Sequence, residues 1–238
     1  MDFMNAEFFT ALITIVFIDL MLAGDNAIVI GLAARNLPKE SQRKAIFWGT
    51  AGAVLIRVAA TLLIVYLLKI PFLLAVGGVV LLWIAFKLLV QEDSHGDIQA
   101  GSNLWSAIRT IVVADAAMGL DNVIAVAGAA QNGSEGHSTL LVILGLLISI
   151  PIVVWGSTLF VGLIQRFPWI IYIGSAVLAY TAAKMVTHEK KFADLFHDNP
   201  VISWTFVAVM VAAVIVAGVW TNAVKAKRRA DLKTSETP

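Results

Sequence analysis

Apolar runs long enough to cross a bilayer recur along nearly the whole chain. A hydrocarbon core about 30 Å thick needs roughly 20 such residues in a helix, so repeated runs of this kind dictate a polytopic membrane protein. With 59% hydrophobic and 14% charged residues, the composition excludes a disordered or fibrous chain and nearly any soluble domain. Cysteine is absent, which removes disulfides, thiolate metal sites and thiol catalysis.

Polar breaks divide the apolar sequence into seven spans, at about 6–34, 42–68, 71–90, 105–130, 139–164, 168–187 and 201–224. The expected fold is therefore all-α, with seven transmembrane helices. Trp48, Tyr66, Trp105, Trp169, Trp204 and Trp220 fall near span ends, where an interfacial aromatic belt belongs. Pro151 inside the fifth span predicts a kink. Alternating loops place Arg35, Lys39, Arg43, Lys44, Arg166, Lys225, Lys227, Arg228, Arg229 and Lys233 on one side, against Lys69, Lys190 and Lys191 on the other. The positive-inside rule then puts the N-terminus outside and residues 225–238 in the cytoplasm as a basic tail. Asp2 and Glu7 stand where a signal peptide would be basic, so the first span reads as structure.

An internal repeat organises these spans. Asp19, Asp25 and Asn26 form a D-x5-D-N motif that recurs 96 residues later as Asp115, Asp121 and Asn122. Pro71, Gly77, Val80, Leu81, Ala85 and Lys87 recur as Pro168, Gly174, Val177, Leu178, Ala182 and Lys184, at an offset of 97. Residues 6–90 (spans one to three) thus correspond to 105–187 (spans four to six), and span seven at 201–224 stands outside. An odd number of spans per copy makes this a 3+3 inverted repeat plus one helix, an architecture whose substrate sites lie near the midplane between the copies.

Four aspartates lie within spans one and four. Each costs about 2.5 to 3.5 kcal/mol at a helix centre facing lipid, roughly 10 to 14 kcal/mol for the set, so they must face protein, water or an ion. Arg57, near the middle of span two, is expected to pair with one of them, but one arginine cannot balance four carboxylates. On an intact helix Asp19 and Asn26 share a face roughly 10 Å apart, as do Asp115 and Asn122. Asp25 and Asp121 sit about 100° round from those asparagines, so full convergence calls for local breaks, which Gly24 and Gly119 would permit. Carboxylate and amide oxygens are hard donors suited to Mn²⁺, Mg²⁺ or Ca²⁺ over Cu(I) or Zn²⁺. Met21 and Met118 read as packing residues. Protonation of desolvated carboxylates would compete with metal, which suggests cation-for-proton exchange.

These residues resemble the TerC family of bacterial integral membrane proteins, in its YjbE-like branch of metal transporters. The resemblance covers spans one to six. It rests on Asp19 with Gly24-Asp25-Asn26-Ala27, on Asp115 with Leu120-Asp121-Asn122-Val123, and on the stretches Lys44 to Thr50 and Arg166 to Tyr172. It implies export of Mn²⁺ from the cytoplasm across the bacterial inner membrane, with no tightly bound cofactor, no enzymatic activity and no nucleic-acid partner. The implied metal site is Asp19, Asp25, Asn26, Asp115, Asp121 and Asn122, with Arg57 as charge partner. Gly119 departs from relatives that often carry Ser there, which removes a hydroxyl from that set.

Other readings stand beside this one. Anionic midplane sites also attract organic cations or amino acids, and an accessory role supporting metalation of exported proteins, through the secretion machinery or homo-oligomeric contacts, needs no transport at all. An intramembrane aspartyl protease is disfavoured because each aspartate pair is followed by an asparagine better explained as an oxygen ligand. A retinal protein lacks a lysine inside span seven. Glu92 to Asp97 reads as a solvated acidic loop, and His188, Glu189, Asp194, His197 and Asp198 fit no sharp ligand template. Lys87 and Lys184 lie near span ends and would snorkel to the interface.

Overall fold

A computed structural model describes residues 6–67, 69–90, 100–131, 138–196 and 199–235. All regular structure among them is helical. Seven helices have 18 residues or more: α1 (Ala6–Ala34), α2 (Lys39–Leu67), α3 (Leu73–Val90), α4 (Ala100–Gln131), α5 (Ser138–Arg166), α6 (Ile170–Thr187) and α8 (Pro200–Ser235). A 3₁₀ turn at Lys190–Phe192 and the one-turn α7 (Ala193–Phe196) link α6 to α8. The expected span ends hold to within a few residues. The exceptions are α4, which begins at Ala100, and α8, which continues through the basic stretch to Ser235.

By length and composition, α2, α3, α5, α6 and α8 contain stretches fit to cross a membrane. Among the described residues of α1, the pieces Phe8–Phe17 and Gly24–Ala34 are apolar.

Apolar residues both fill the core and cover the outside of the bundle. Large apolar side chains such as Leu55, Val76, Trp155 and Val216 are exposed, while Gly77 and Gly78 of α3 lie against Ala182 and Met185 of α6, and Gly174 of α6 lies against Ile28 and Leu32 of α1. Small residues let helix backbones approach where lipid supplies no hydrophobic drive between them. A Cβ on Gly78 would sit 2.6 Å from the Ala182 carbonyl oxygen. All six residues expected in the aromatic belt are exposed.

The principal pairings are α1 on α5, α2 on α4 and α3 on α6, with α8 against α6 and α3. Helix α3 is held at both ends by polar and charged side chains from elsewhere. At its start the buried Glu189 accepts hydrogen bonds from the Leu74 and Ala75 amides, at 3.1 and 3.4 Å. At its end the Leu88, Leu89 and Val90 carbonyls accept from Arg35, Asn222 and Lys225. Acid at the start and base at the end complement the helix dipole and satisfy groups a helix leaves unpaired. The same contacts place the end of α1, the end of α3 and the basic part of α8 on one face of the bundle. Phe72, Phe192, Phe196 and Phe206 form a ring cluster at the start of α3 and α8, on the other.

Candidate functional site

The Arg57 guanidinium on α2 donates to the Asp115 carboxylate on α4 at 2.5 Å, and both side chains are at least nine-tenths buried. The expected pairing of Arg57 with an aspartate is therefore present, and its partner is Asp115. Two charges withdrawn from water stabilise each other only as a pair. Removing one partner from such a pair costs about 3 to 5 kcal/mol.

This ion pair forms one side of a cavity. Asn26 and Ile30 of α1 and Asp115 of α4 line it, together with Thr50, Ala53, Val54 and Arg57 of α2 and Leu146, Ser149, Ile150 and Val153 of α5. The α2 and α5 walls match position by position. Each of the four α5 residues lies 96 residues after one of the four α2 residues, the spacing that separates the two D-x5-D-N motifs. The cavity encloses about 20 Å³, where one water requires roughly 10 to 15 Å³. In this conformation it admits a single ion or water and no organic side chain.

Outside the ion pair, two polar atoms on this lining are buried and have no hydrogen-bond partner among the described residues, the Asn26 Oδ1 and the Thr50 Oγ1. Asn26 itself is 4% exposed. A buried oxygen left without a donor costs about 1 to 3 kcal/mol, and an asparagine held at that cost beside a carboxylate is a ready ligand for a hard cation. Ser149 adds a hydroxyl oxygen from α5, its proton donated to the Leu146 carbonyl of the same helix at 3.0 Å. The donor set is carboxylate, amide and hydroxyl oxygen throughout, with no histidine.

Asp25 faces elsewhere. Its Oδ2 accepts a hydrogen bond at 2.8 Å from the Thr181 hydroxyl on α6, and it is absent from the cavity lining. The helix breaks expected at Gly24 and Gly119 are not found: α1 and α4 run unbroken through both. An intact helix satisfies its interior backbone groups, which matters most where water is scarce, and Asp25 finds a donor without a break. Consecutive residues 100° apart thus serve different neighbours. Asp19, Asp121 and Asn122 belong to α1 and α4, but their side chains lie outside those described, as does that of Met21. Met118 packs in the main apolar cluster, as expected of it. Among the described residues no three His, Asp or Glu side chains gather into a metal-binding cluster.

Thr50, Ser149 and Thr181 were not singled out as site residues by their sequence context. Thr50 closes the stretch Lys44 to Thr50, and Ser149 interrupts an otherwise apolar run, but hydroxyls inside apolar helices commonly bond their own backbone, as Ser157 and Thr158 do here. Of the titratable groups outside the site, Glu189 caps α3, His197 and Asp198 lie outside the described residues, and so does the segment Glu92 to Asp97. Lys87 lies over the Trp83 ring of its own helix at 5.1 Å, and Lys184 over Trp204 of α8 at 4.8 Å.

Comparison with known proteins places these features in a family. The chain is 42% identical over 217 residues to the uncharacterized membrane protein YjbE of Bacillus subtilis (strain 168), covering 91% of the chain and 97% of YjbE. It is 25% identical over 214 residues to the uncharacterized membrane protein YkoY of the same organism, covering 82% of the chain and 66% of YkoY. With YegH of Escherichia coli (strain K12) it shares 27% identity over 144 residues, 52% of the chain and 27% of YegH. No solved structure matches the chain. The model of the integral membrane protein TerC family matches residues 4–226. The chain is a multi-pass integral membrane protein and belongs to the TerC family.

Proposed function

We propose that this protein exports a divalent metal cation, with Mn²⁺ as the substrate, from the cytoplasm across the bacterial inner membrane through the cavity between α1, α2, α4 and α5. The observation that carries this reading is the buried Asn26 carbonyl oxygen, without a partner among the described residues and sharing an ion-sized cavity with Asp115. Hard oxygen donors favour Mn²⁺, Mg²⁺ or Ca²⁺ by chemistry, and the resemblance of the motifs selects Mn²⁺ among them. Asp19, Asp25, Asp121 and Asn122 are assigned as further ligands or proton carriers along the same route, and proton exchange is the coupling mode.

The architecture proposed is the 3+3 inverted repeat with α8 outside it. Exchange of the two halves turns the α1–α5 pairing into α4–α2 and leaves α3–α6 unchanged, which matches the principal pairings. The equivalent α2 and α5 walls support a site on the axis that relates the halves. All seven long helices are taken as spans, with the N-terminus outside and the basic end of α8 in the cytoplasm.

The test is Mn²⁺ flux in proteoliposomes, for the intact protein and for Asp25→Asn combined with Asp121→Asn, with Mg²⁺, Ca²⁺ and Zn²⁺ as competitors. Saturable flux lost in the double variant is expected, and weakening of that flux when the pH gradient is collapsed would support exchange. Absence of Mn²⁺ flux from well-folded protein rejects export and leaves an organic substrate or an accessory role in metalation of exported proteins.

A further inference from the structure

The two matched walls of the cavity differ in charge at one position. Thr50 corresponds to Leu146, Ala53 to Ser149 and Val54 to Ile150, all uncharged, whereas Arg57 corresponds to Val153. The arginine is the element that breaks the equivalence of the halves. It spends its charge on Asp115, the carboxylate on the described lining. With the pair made, the lining is neutral and its remaining polar groups are an amide and hydroxyls, a poor environment for a dication.

We infer that Arg57 is a tethered counter-cation that competes with the transported divalent cation for Asp115, so that loading the cation and releasing the α2–α4 ion pair are one event. This deepens the export reading and rests on it. The argument is electrostatic and steric. A cavity of about 20 Å³ cannot hold a dication against Asp115 while a guanidinium sits on the same carboxylate, because like charges at contact distance in a dry site repel strongly. Either cation stabilises the carboxylate, so the protein exchanges one partner for the other without leaving a buried charge uncompensated. The pair ties α2 to α4, two helices that the proposed repeat assigns to different halves. Its release on loading therefore frees one half from the other at the moment the substrate arrives, and its re-formation expels the substrate. Arg57 is in this sense a positioning residue for coupling, not a ligand.

The sign of the effect separates this role from a structural one. If Arg57 only held the site in shape, neutralising it would weaken cation binding. If it competes, neutralising it strengthens binding. The experiment measures the Mn²⁺ dissociation constant of the full chain in lipid nanodiscs, from loss of the free-Mn²⁺ magnetic resonance signal, for the wild type, Arg57→Gln and Arg57→Lys. Flux in proteoliposomes is measured beside it. Arg57→Gln is expected to bind Mn²⁺ at least tenfold more tightly and to turn over at least tenfold more slowly, since nothing then drives release. Should Arg57→Gln fail to fold, Arg57→Lys carries the test. Its point charge holds a carboxylate less firmly than the two-pronged guanidinium, so binding about threefold tighter is expected. Unchanged or weaker binding by the folded variants overturns the inference while wild-type binding and flux leave export standing. Absence of Mn²⁺ binding and flux in every protein tested overturns export, and the inference with it.

Discussion

Thr181 on α6 donates to Asp25 on α1 across 156 residues of sequence, at 2.8 Å. Asp25 is only partly buried, so this bond is worth about 1 kcal/mol. Thr181→Val keeps the shape and removes the donor, and it should lower the thermal midpoint in detergent by a few degrees. Asp25→Asn keeps an oxygen for Thr181 and should leave the midpoint within about a degree or two while cutting Mn²⁺ flux at least tenfold. Equal flux in Asp25→Asn and wild type would remove Asp25 from the transport route.

The two amides at the start of α3 are held by Glu189, a residue outside the helix they belong to. Capping bonds of this kind are worth about 0.5 to 2 kcal/mol, and the charge adds a favourable term with the helix dipole. Glu189→Ala should therefore cost about 1 to 2 kcal/mol in thermal or denaturant unfolding, with Glu189→Gln intermediate because its carbonyl oxygen still accepts. If Glu189→Ala instead preserves stability and abolishes Mn²⁺ flux, the residue belongs to a release site and not to the frame.

Much of this could be read before any coordinates were known, and the reason is physical. Helix positions follow from apolar length, which the bilayer fixes, so α1 to α3, α5 and α6 fall close to their expected ends. The repeat was visible because both motifs carry charged residues that lipid does not tolerate idly. The pairing of Arg57 followed from charge balance, but its choice of Asp115 did not, because helix–helix pairing is a tertiary property. The same limit hid Thr50, Ser149 and Thr181, whose hydroxyls are chemically unremarkable until a neighbouring helix decides what they face. The breaks expected at Gly24 and Gly119 assumed that all acidic residues must converge. Asp25 shows otherwise, since a threonine on the next helix satisfies it where it stands.

Membrane orientation can be tested without any functional assay, because the chain has no cysteine of its own. Lys39 and Lys69 lie at opposite ends of α2, at its start and just past its end. Single variants Lys39→Cys and Lys69→Cys, treated in intact cells with a membrane-impermeant maleimide, should label at position 69 and not at 39, with 39 labelled once cells are opened. The reverse pattern would invert the assigned direction. Labelling of both sites in intact cells would show that α2 does not span.

Asn26 provides the sharpest separation of stability from function. Its Oδ1 is buried with no partner among the described residues, so the folded state carries a cost of about 1 to 3 kcal/mol that an apolar side chain would not. Asn26→Leu occupies the cavity with methyl groups and removes that cost, and the thermal midpoint should stay level or rise by a few degrees. The same substitution deletes the amide oxygen assigned to the cation, so Mn²⁺ flux should fall at least tenfold. Asn26→Asp should do the opposite, adding charge to the cavity, raising Mn²⁺ affinity and lowering stability where no cation is supplied. A residue retained for packing alone would show stability and flux declining together in both variants. Opposite movement of the two is what a side chain held unsatisfied for its ligand must give.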